Sequence, residues 1–274
     1  MTFSKAAVFY NDSKPQLASL AQEVCDVLKR QGLAADLCDD LPRLQPADML
    51  ICLGGDGTLL RCARAAAPLQ IPILGINCGT LGFLSTCEKE DFESTLSQIL
   101  KGSFQLCDRA LLRALVHLPG GQEHALEALN DCVIRAAQPR AFTVEASFNG
   151  EPLPPFLGDG VIVATPTGST AYSLAAGGPI VTPGVDVHLV TPICPHSLHQ
   201  RPLILPAQGT LLLKPVFKNE NEQAGLSMDG QENIALPPGS TVTLTRSPFK
   251  ARFITVSERN FFSVLHRKMN WGAR

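Results

Sequence analysis

The sequence has 274 residues, of which 45% are hydrophobic and 18% are charged, and its formal net charge is −2. This composition is typical of a globular protein with one large or two ordinary domains, and it excludes a disordered or fibrous chain. The charge gives no basic footprint for nucleic acid, and no apolar stretch approaches the roughly 20 residues that span a bilayer, so we predict neither partner. Nine cysteines without a CxxC spacing, and no secretory leader pattern, predict a reduced, cytoplasmic protein.

The first hundred residues alternate between apolar runs and helical periods. Continuous apolar runs predict strands buried on both faces, and apolar residues at every third or fourth position predict amphipathic helices. In chain order we predict a strand at Ala6–Tyr10, a helix from a Ser13 cap to Gly32, a strand at Met49–Leu53, a helix over about 59–67, a strand at Ile73–Asn77 and a helix over about 92–100. This alternation predicts an α/β domain with a parallel sheet over residues 1–105.

After residue 105 the pattern changes to short strand-like runs with few helical periods. These runs are predicted at Leu111–Leu118, Ala128–Ile134, Phe142–Phe148, Val161–Thr165, Leu203–Leu205, Leu211–Lys214 and Thr241–Thr245. The pairs Asn149-Gly150 and Asp229-Gly230 are strong hairpin signals. Residues 106–257 are therefore predicted to form an all-β, sandwich-like domain.

The chain ends in one more amphipathic helix, predicted over Asn260–Met269. Because a β domain needs no helix to close its sheets, we expect residues 258–274 to return to the N-terminal domain and pack against it. Phe262 and Leu265 are the predicted anchors of this helix.

A glycine-rich turn, Gly54-Gly55-Asp56-Gly57-Thr58, follows the buried strand at Met49–Leu53. The carboxyl end of a parallel strand is where α/β sheets bind ligands, and a helix N-terminus favours phosphate. The spacing is neither GxGxxG nor the Walker sequence, and no lysine follows. Asp56, placed among glycines that leave room for a substrate, is suited to accepting a proton. The alternative interpretation is a tight turn capped by an aspartate.

A second stretch, from Gly158 to Pro179, runs from a strand into a loop dense in hydroxyl groups and glycine. Threonine and serine hydroxyls are suited to binding sugar hydroxyls and phosphate oxygens, and Tyr172 could pack against a flat ring. The alternative is an irregular loop whose hydroxyls bond to its own backbone. The density of hydroxyl groups favours a binding site.

Together the two stretches resemble the bacterial NAD kinases (the ATP/polyphosphate-NAD kinase family), enzymes that phosphorylate the adenosine ribose 2′-hydroxyl of NAD. GGDGT alone is shared with diacylglycerol and sphingosine kinases and, more loosely, with phosphofructokinases, whereas TPTGSTAY is more specific. The resemblance covers nearly the whole chain, at Gly54–Thr58, Gly75–Leu84, Asn130-Asp131, Asp159–Pro179, Pro192–Pro202, Asp229–Gln231 and Phe261–Trp271.

The resemblance implies a role for each matching residue. Asp56 corresponds to the proton acceptor, Asn130 and Asp131 to the pair that holds ribose hydroxyls, and Asp159 to a carboxylate near the nicotinamide amide. Leu157 stands where many members carry an arginine, and whether Arg140 contacts the ligand is left open. The implied NAD-binding residues are Asp56, Gly57, Arg61, Phe83 (near the adenine), Asn130, Asp131, Asp159, Thr167, Gly168, Ser169, Thr170, Ala171, Tyr172 and Gln231, and the implied ATP-phosphate-binding residues are Gly54, Gly55, Gly57 and Thr58.

The resemblance also implies substrates and assembly. The donor is ATP with Mg²⁺ or Mn²⁺, or polyphosphate in place of ATP, and the enzyme is a homodimer or homotetramer. Two alternatives remain, a lipid kinase of the diacylglycerol kinase type and a non-catalytic dinucleotide sensor on the same fold. Cys194, His196 and His199 have spacing that suggests zinc, but no fourth ligand is evident, so we predict no metal site held by the protein.

Overall fold

A computed structural model of the chain describes residues 3–11, 14–79, 82–138, 141–219, 222–256 and 261–269. The chain divides into two units, residues 1–109 with 249–274, and residues 110–248. The domain limits predicted from the sequence, after residues 105 and 257, stay a prediction. Ser13, the predicted helix cap, and Arg140 lie outside the described residues.

The secondary structure of the described residues is labelled in chain order. The strands are β1 (Lys5–Tyr10), β2 (Ala34–Leu37), β3 (Met49–Gly54), β4 (Ile73–Asn77), β5 (Cys87–Glu88), β6 (Gln105–His117), β7 (Glu123–Ala128), β8 (Asp131–Ala136), β9 (Phe142–Phe148), β10 (Glu151–Gly158), β11 (Gly160–Ala164), β12 (Val187–Ile193), β13 (Leu203–Pro206), β14 (Leu211–Val216), β15 (Ala224–Met228), β16 (Glu232–Leu236) and β17 (Thr241–Thr255). The α-helices are α1 (Gln16–Arg30), α2 (Asp56–Ala66), α3 (Phe92–Leu100), α4 (Tyr172–Ala175) and α5 (Phe261–Met269). None of the described helices has the length and apolar character needed to cross a membrane.

The first unit is built on a parallel sheet, as predicted. Its strands run in the order β2-β1-β3-β4, with β5 and the end of β17 both paired to β4. In register, Val8 pairs with Ile51, and Ile51 pairs with Leu74. The apolar faces of α1 and α3 share one core with these strands, and every residue of β3 is buried. The continuous apolar run in the sequence therefore corresponds to a strand that sees no water.

The second unit is a sandwich of two antiparallel sheets, which confirms the predicted all-β class. One sheet has the order β13-β12-β11-β8-β15-β16, and the other contains β10-β9-β14 and the first half of β17, to which the β6–β7 pair is joined. Val144 and Leu213 of one sheet share a core with Ile134 and Val163 of the other. Alternating apolar residues thus fill the space between the two sheets.

Two predicted hairpins are confirmed by their turn geometry. Asn149 and Gly150, between β9 and β10, have φ values of +52° and +84°. Asp229 and Gly230, between β15 and β16, have φ values of +53° and +67°. Both central residues of such a turn need positive φ, which explains the Asn-Gly and Asp-Gly pairs.

The terminal helix α5 belongs to the first unit, as expected, but only one of its two predicted anchors is buried. Leu265 is 1% exposed, whereas Phe262 is 64% exposed, so the assignment of Phe262 as an anchor was wrong. Residues three apart lie on one face of a helix, and Phe262 shares that spacing with Leu265. Phe262, however, lies at the first turn of α5, where its ring packs against the ring of Phe261, with 5.6 Å between the ring centroids.

Strand β12 carries a histidine inside the second unit. His188 is 2% exposed, and neither ring nitrogen has a hydrogen-bonding partner among the described residues. Burial lowers the pKa of His188 to about 4; the carboxylate of Asp186 opposes this effect and the guanidinium of Arg246 adds to it. The ring is therefore neutral in the folded chain at neutral pH.

We predict that Leu265→Ala destabilises the protein by about 2–5 kcal/mol, since it opens a cavity in a packed core. Phe262→Ala is the matched control on the same helix, and should cost no more than about 1 kcal/mol because the ring is largely in water. Thermal unfolding of both variants measures the difference. Equal losses would show that α5 is not anchored through Leu265.

His188 also predicts a pH dependence of stability. Above pH 6.5 neither the folded nor the unfolded state protonates this ring, and as the pH falls towards 4 only the unfolded state binds the proton. Stability should therefore fall over this window by roughly 3 kcal/mol more in the natural protein than in His188→Leu. Denaturant unfolding between pH 7 and 4 measures the free energy of unfolding of both proteins. Groups that titrate in both contribute equally and cancel in the difference. A difference between the two proteins that does not vary with pH would contradict the assignment.

Candidate active site

The glycine-rich turn joins β3 directly to α2. Gly55 is the N-cap residue in extended conformation, and the amides of Thr58 and Leu59 donate hydrogen bonds to its carbonyl oxygen. The sequence predicted this helix from about residue 59, but it begins three residues earlier, at Asp56. A carboxylate is stabilised at a helix N-terminus, where backbone N–H groups carry partial positive charge. Asp56 therefore lies at the electrostatically favoured end of α2.

Two backbone amides fix the carboxylate of Asp56. Phe83 N–H donates to Oδ2 at 2.9 Å, and Leu84 N–H donates to Oδ1 at 3.1 Å. A Cβ atom at Gly82 would collide with Asp56 Oδ1, so only glycine permits this approach. The Asp56 side chain is nevertheless 33% exposed. An ionised carboxylate has about four acceptor sites, so it can still accept hydrogen bonds from a ligand.

A lysine from the terminal helix reaches the same carboxylate. Lys268 Nζ is 4.0 Å from Asp56 Oδ2 and 4.7 Å from the centroid of the Phe83 ring. Because the lysine side chain is 30% exposed and the carboxylate 33%, water screens this ion pair, which contributes at most about 1 kcal/mol. The first unit thus brings together a carboxylate, an ammonium group and an aromatic ring.

Some of the other predicted residues of this turn are buried, and others are open to solvent. Gly54 and Thr58 are buried, and a Cβ at Gly54 would lie 2.8 Å from Thr58 Cβ. Gly55 has open space where a side chain would be, and Gly57 is exposed. Arg61 is exposed and its guanidinium lies 5.5 Å from the centroid of the Phe9 ring. The outward surface of the turn is formed by Gly55, Asp56 and Gly57.

In the second unit, Asp229 organises a break between two strands. The sequence predicted one strand across Ala128–Ile134, but β7 ends at Ala128 and β8 begins at Asp131. The Asp229 carboxylate accepts N–H groups of three successive residues, Leu129 at 3.0 Å, Asn130 at 2.7 Å and Asp131 at 3.2 Å. These bonds replace the strand-to-strand hydrogen bonds that are interrupted between β7 and β8.

Asp131 and Asp229 are two buried carboxyl groups in one place, with exposed fractions of 5% and 9%. Burial raises the pKa of Asp131 to about 7, and the negative charge of Asp229 adds to this effect. Asp131 consequently holds a proton at mildly acidic pH, where an ordinary aspartate is ionised. At neutral pH its carboxyl group can either donate or accept a hydrogen bond.

The hydroxyl-rich loop packs directly on this break. Thr165 donates its N–H to the Asn130 carbonyl at 2.8 Å and its hydroxyl to the Leu129 carbonyl at 2.5 Å. A Cβ at Gly168 would collide with the Asn130 carbonyl oxygen, so this position requires glycine. Ser169 is fully buried, and its hydroxyl bonds to the backbone of Pro166 and Val181.

The exposed part of the loop is made by other predicted residues. Tyr172, which opens α4, is 38% exposed, and Thr167, Thr170 and Ala171 are half-buried. Thr170 donates its hydroxyl to the Thr167 carbonyl at 3.3 Å. Several hydroxyls of the stretch thus maintain the loop, as in the alternative interpretation, while its outer surface stays available to a ligand.

The remaining predicted residues lie at different distances from this cluster. Gln231 directly follows the Asp229-Gly230 turn. The carboxylate of Asp229 accepts a hydrogen bond from the Asn130 backbone. Asp159 is exposed and precedes β11, while Thr165 follows it, so the length of the strand, roughly 16–20 Å, separates them. Asp229, two residues before Gln231, is thus bonded to Asn130 and Asp131, whereas Asp159 lies at the far end of β11 from them.

One residue in each unit was given no role from the sequence. Asp229 was identified only in a turn and in a stretch of the family resemblance, and Lys268 only as a position within the predicted terminal helix. The Asp-Gly pair did mark the place of Asp229, but its bonds go to residues about 100 positions earlier, which no local pattern reveals.

Comparison with known proteins identifies the family. Residues 36–104 match the ATP-NAD kinase N-terminal domain, and residues 129–256 match the ATP-NAD kinase C-terminal domain. The chain is 42% identical to the NAD kinase of Syntrophotalea carbinolica, over 98% of this chain and 99% of that relative.

Solved structures agree in fold. Yeast NADH kinase complexed with NADH superposes with a TM-score of 0.91 at 24% identity, covering 100% of this chain and 89% of the yeast chain. An NAD kinase from Archaeoglobus fulgidus in complex with ATP gives a TM-score of 0.77 at 26% identity, covering 97% and 98% of the two chains. The chain therefore belongs to the ATP-NAD kinase family.

Proposed function

We propose that this NAD kinase uses Asp56 to accept the proton of the adenosine ribose 2′-hydroxyl of NAD while the γ-phosphate of ATP is transferred to that oxygen. The observation that carries this proposal is the fixed carboxylate: two amides hold it at the start of α2, and one third of the side chain is still exposed. Phosphoryl transfer needs an in-line nucleophile, neutralised phosphates and a group that takes the hydroxyl proton. Among the described residues of the first unit, the fixed and partly exposed Asp56 carboxylate is suited to the last requirement.

The proposed step is a single displacement at phosphorus. The ribose O2′ attacks the γ-phosphorus, the bond from that phosphorus to the β–γ bridging oxygen breaks, and ADP leaves with the bonding electron pair. The hydroxyl proton passes to Asp56, whose side chain is one third exposed. A positioned general base of this kind contributes about 10²–10⁴-fold to the rate.

The donor is proposed to be ATP, with polyphosphate as the alternative because it offers the same phosphoanhydride bond. Support comes from the open surface of Gly55 and Gly57 at the start of α2, where backbone N–H groups favour phosphate. Among the residues that the structure describes, no three His, Cys, Asp or Glu side chains are grouped to hold a metal. Mg²⁺ usually keeps several waters and binds substrate phosphates, so we assign Mg²⁺ or Mn²⁺ to the donor substrate.

Contacts with the dinucleotide are proposed separately for each unit. In the second unit Asn130 and Asp131 bind ribose hydroxyls, Tyr172 packs on a flat ring, and Gln231 makes a further contact. This proposal is supported by the way Asp229 presents the Asn130-Asp131 backbone. The other proposed contacts, taken from the family resemblance, are Gly57, Arg61 and Phe83 in the first unit and Asp159, Thr167, Gly168, Ser169, Thr170 and Ala171 in the second.

Assembly and location are proposed from the same resemblance. We expect a homodimer or homotetramer that works in the cytoplasm, with residues 106–257 as the NAD-binding domain. The matched families favour neither a lipid kinase nor a non-catalytic sensor.

We predict that Asp56→Asn lowers turnover by a factor of roughly 10² or more, because an amide cannot accept the proton. One amide of the 83–84 segment loses its acceptor in this variant, so NAD affinity and melting temperature are measured beside turnover. Asp26→Asn, an exposed change on α1, is the control and should leave all three unchanged. Turnover within threefold of the natural protein in Asp56→Asn would rule out the proposed role.

We also predict that Asp131→Ala weakens NAD binding by about 1–3 kcal/mol, since ribose hydroxyls would be left without a partner. Asp131→Asn can still donate and accept one hydrogen bond, so it should retain more of the affinity. Isothermal titration calorimetry measures both variants. If the Asp131→Ala and Asp131→Asn variants bind NAD as tightly as the natural protein, Asp131 does not contact the ribose.

A further inference from the structure

The glycine-rich turn lacks the lysine that phosphate-binding loops of the Walker type carry, although ATP brings several negative charges. The terminal helix places a lysine at this turn. Lys268 Nζ lies 4.0 Å from Asp56 Oδ2 and 4.7 Å from the centroid of the Phe83 ring.

The position of Lys268 is set by packing. Leu265, one turn earlier on α5, is 1% exposed and anchors the helix in the first unit. Lys268 lies three residues after Leu265 on the same helix, and its ammonium group is 4.0 Å from Asp56 Oδ2. His266 and Arg267, the neighbouring basic residues, are exposed. Of these three basic residues, Lys268 is the one for which the structure describes a contact with Asp56 and Phe83.

The distances put this cation within reach of a group that reacts at Asp56. A hydroxyl that gives its proton to Asp56 must lie within about 2.6–3.2 Å of the carboxylate, and the attacked phosphorus is its next neighbour. An ammonium group 4.0 Å from the same carboxylate, on a flexible side chain, can reach the oxygens of the transferring group. Both partners of the ion pair are about one third exposed, so a phosphate can replace Asp56 as the partner of Lys268 without entering a closed space.

We infer that Lys268 is a phosphate-binding residue of the active site, whose ammonium group binds the γ-phosphate of ATP in place of the lysine that the turn lacks. This inference rests on the proposed function of Asp56. It differs from a purely structural role, in which Lys268 only ties α5 to Asp56 and Phe83. A phosphate ligand would change the kinetics towards ATP, whereas a structural tie would change stability alone.

The test compares Lys268→Met, Lys268→Arg and, as the matched control, Arg267→Met. With NAD saturating, we expect Lys268→Met to raise the KM for ATP about tenfold or more, because a charge-assisted hydrogen bond is lost. NAD affinity should stay within twofold, Lys268→Arg should recover much of the loss because arginine keeps the charge, and Arg267→Met should match the natural protein. An unchanged KM for ATP and unchanged kcat in Lys268→Met would overturn the inference, as would an arginine variant no better than methionine.

A measurement on the unmodified chain keeps the inference testable if Lys268→Met does not fold. An amine-reactive acylating reagent is applied with and without ATP and Mg²⁺, and modification of each lysine is followed by mass spectrometry. ATP should slow the modification of Lys268 several-fold and leave that of Lys29, exposed on α1, unchanged. Equal modification of Lys268 with and without ATP would overturn the inference.

The two proposals fail in different ways. If Asp56→Asn keeps full turnover while ATP still protects Lys268, the assignment of Asp56 is wrong and the phosphate-binding role of Lys268 stands. If Asp56→Asn is inactive but ATP gives Lys268 no protection, only the inference on Lys268 is wrong.

Discussion

Two backbone hydrogen bonds to the Asp56 carboxylate are the interaction on which the first unit's site depends. They tie the turn after β3 to the segment at Phe83 and Leu84, and the missing side chain of Gly82 makes the approach possible. A carboxylate fixed in this way needs no reorganisation when a hydroxyl arrives, and it keeps acceptor sites for that hydroxyl. The glycines of the turn serve two purposes: Gly54 packs against Thr58, while Gly55 leaves space outside. Only the second purpose concerns a ligand directly.

The second unit uses a buried carboxylate in a similar way, but for positioning. Asp229 accepts three successive N–H groups and so holds the backbone of Asn130 and Asp131 at a break between strands. Burial raises the pKa of Asp131 to about 7, and the negative charge of the nearby Asp229 adds to this effect. One carboxylate therefore organises the backbone, and the other, which we propose to bind a sugar hydroxyl, is left close to its titration point. This difference in environment gives two chemically identical side chains separate roles.

Much of this architecture could be predicted because the relevant patterns are local. The buried run of β3, the Asn-Gly hairpin and the GGDG turn depend on neighbouring residues, and each was found from the sequence. Strand β10 was missed because it contains Pro152, Pro154 and Pro155, which are tolerated at its place on the edge of the sheet. Lys268 escaped prediction since its partner lies at the other end of the chain, where no sequence period can report the contact.

The most direct measurement of the central claim is a crystal structure of the natural chain with NAD bound and no phosphate donor. The account predicts that the adenosine ribose O2′ lies about 2.6–3.2 Å from an oxygen of Asp56, with both backbone amides still bound to the carboxylate. A complex in which O2′ is farther than about 3.5 Å from Asp56, and bonds to a different basic group, would contradict it.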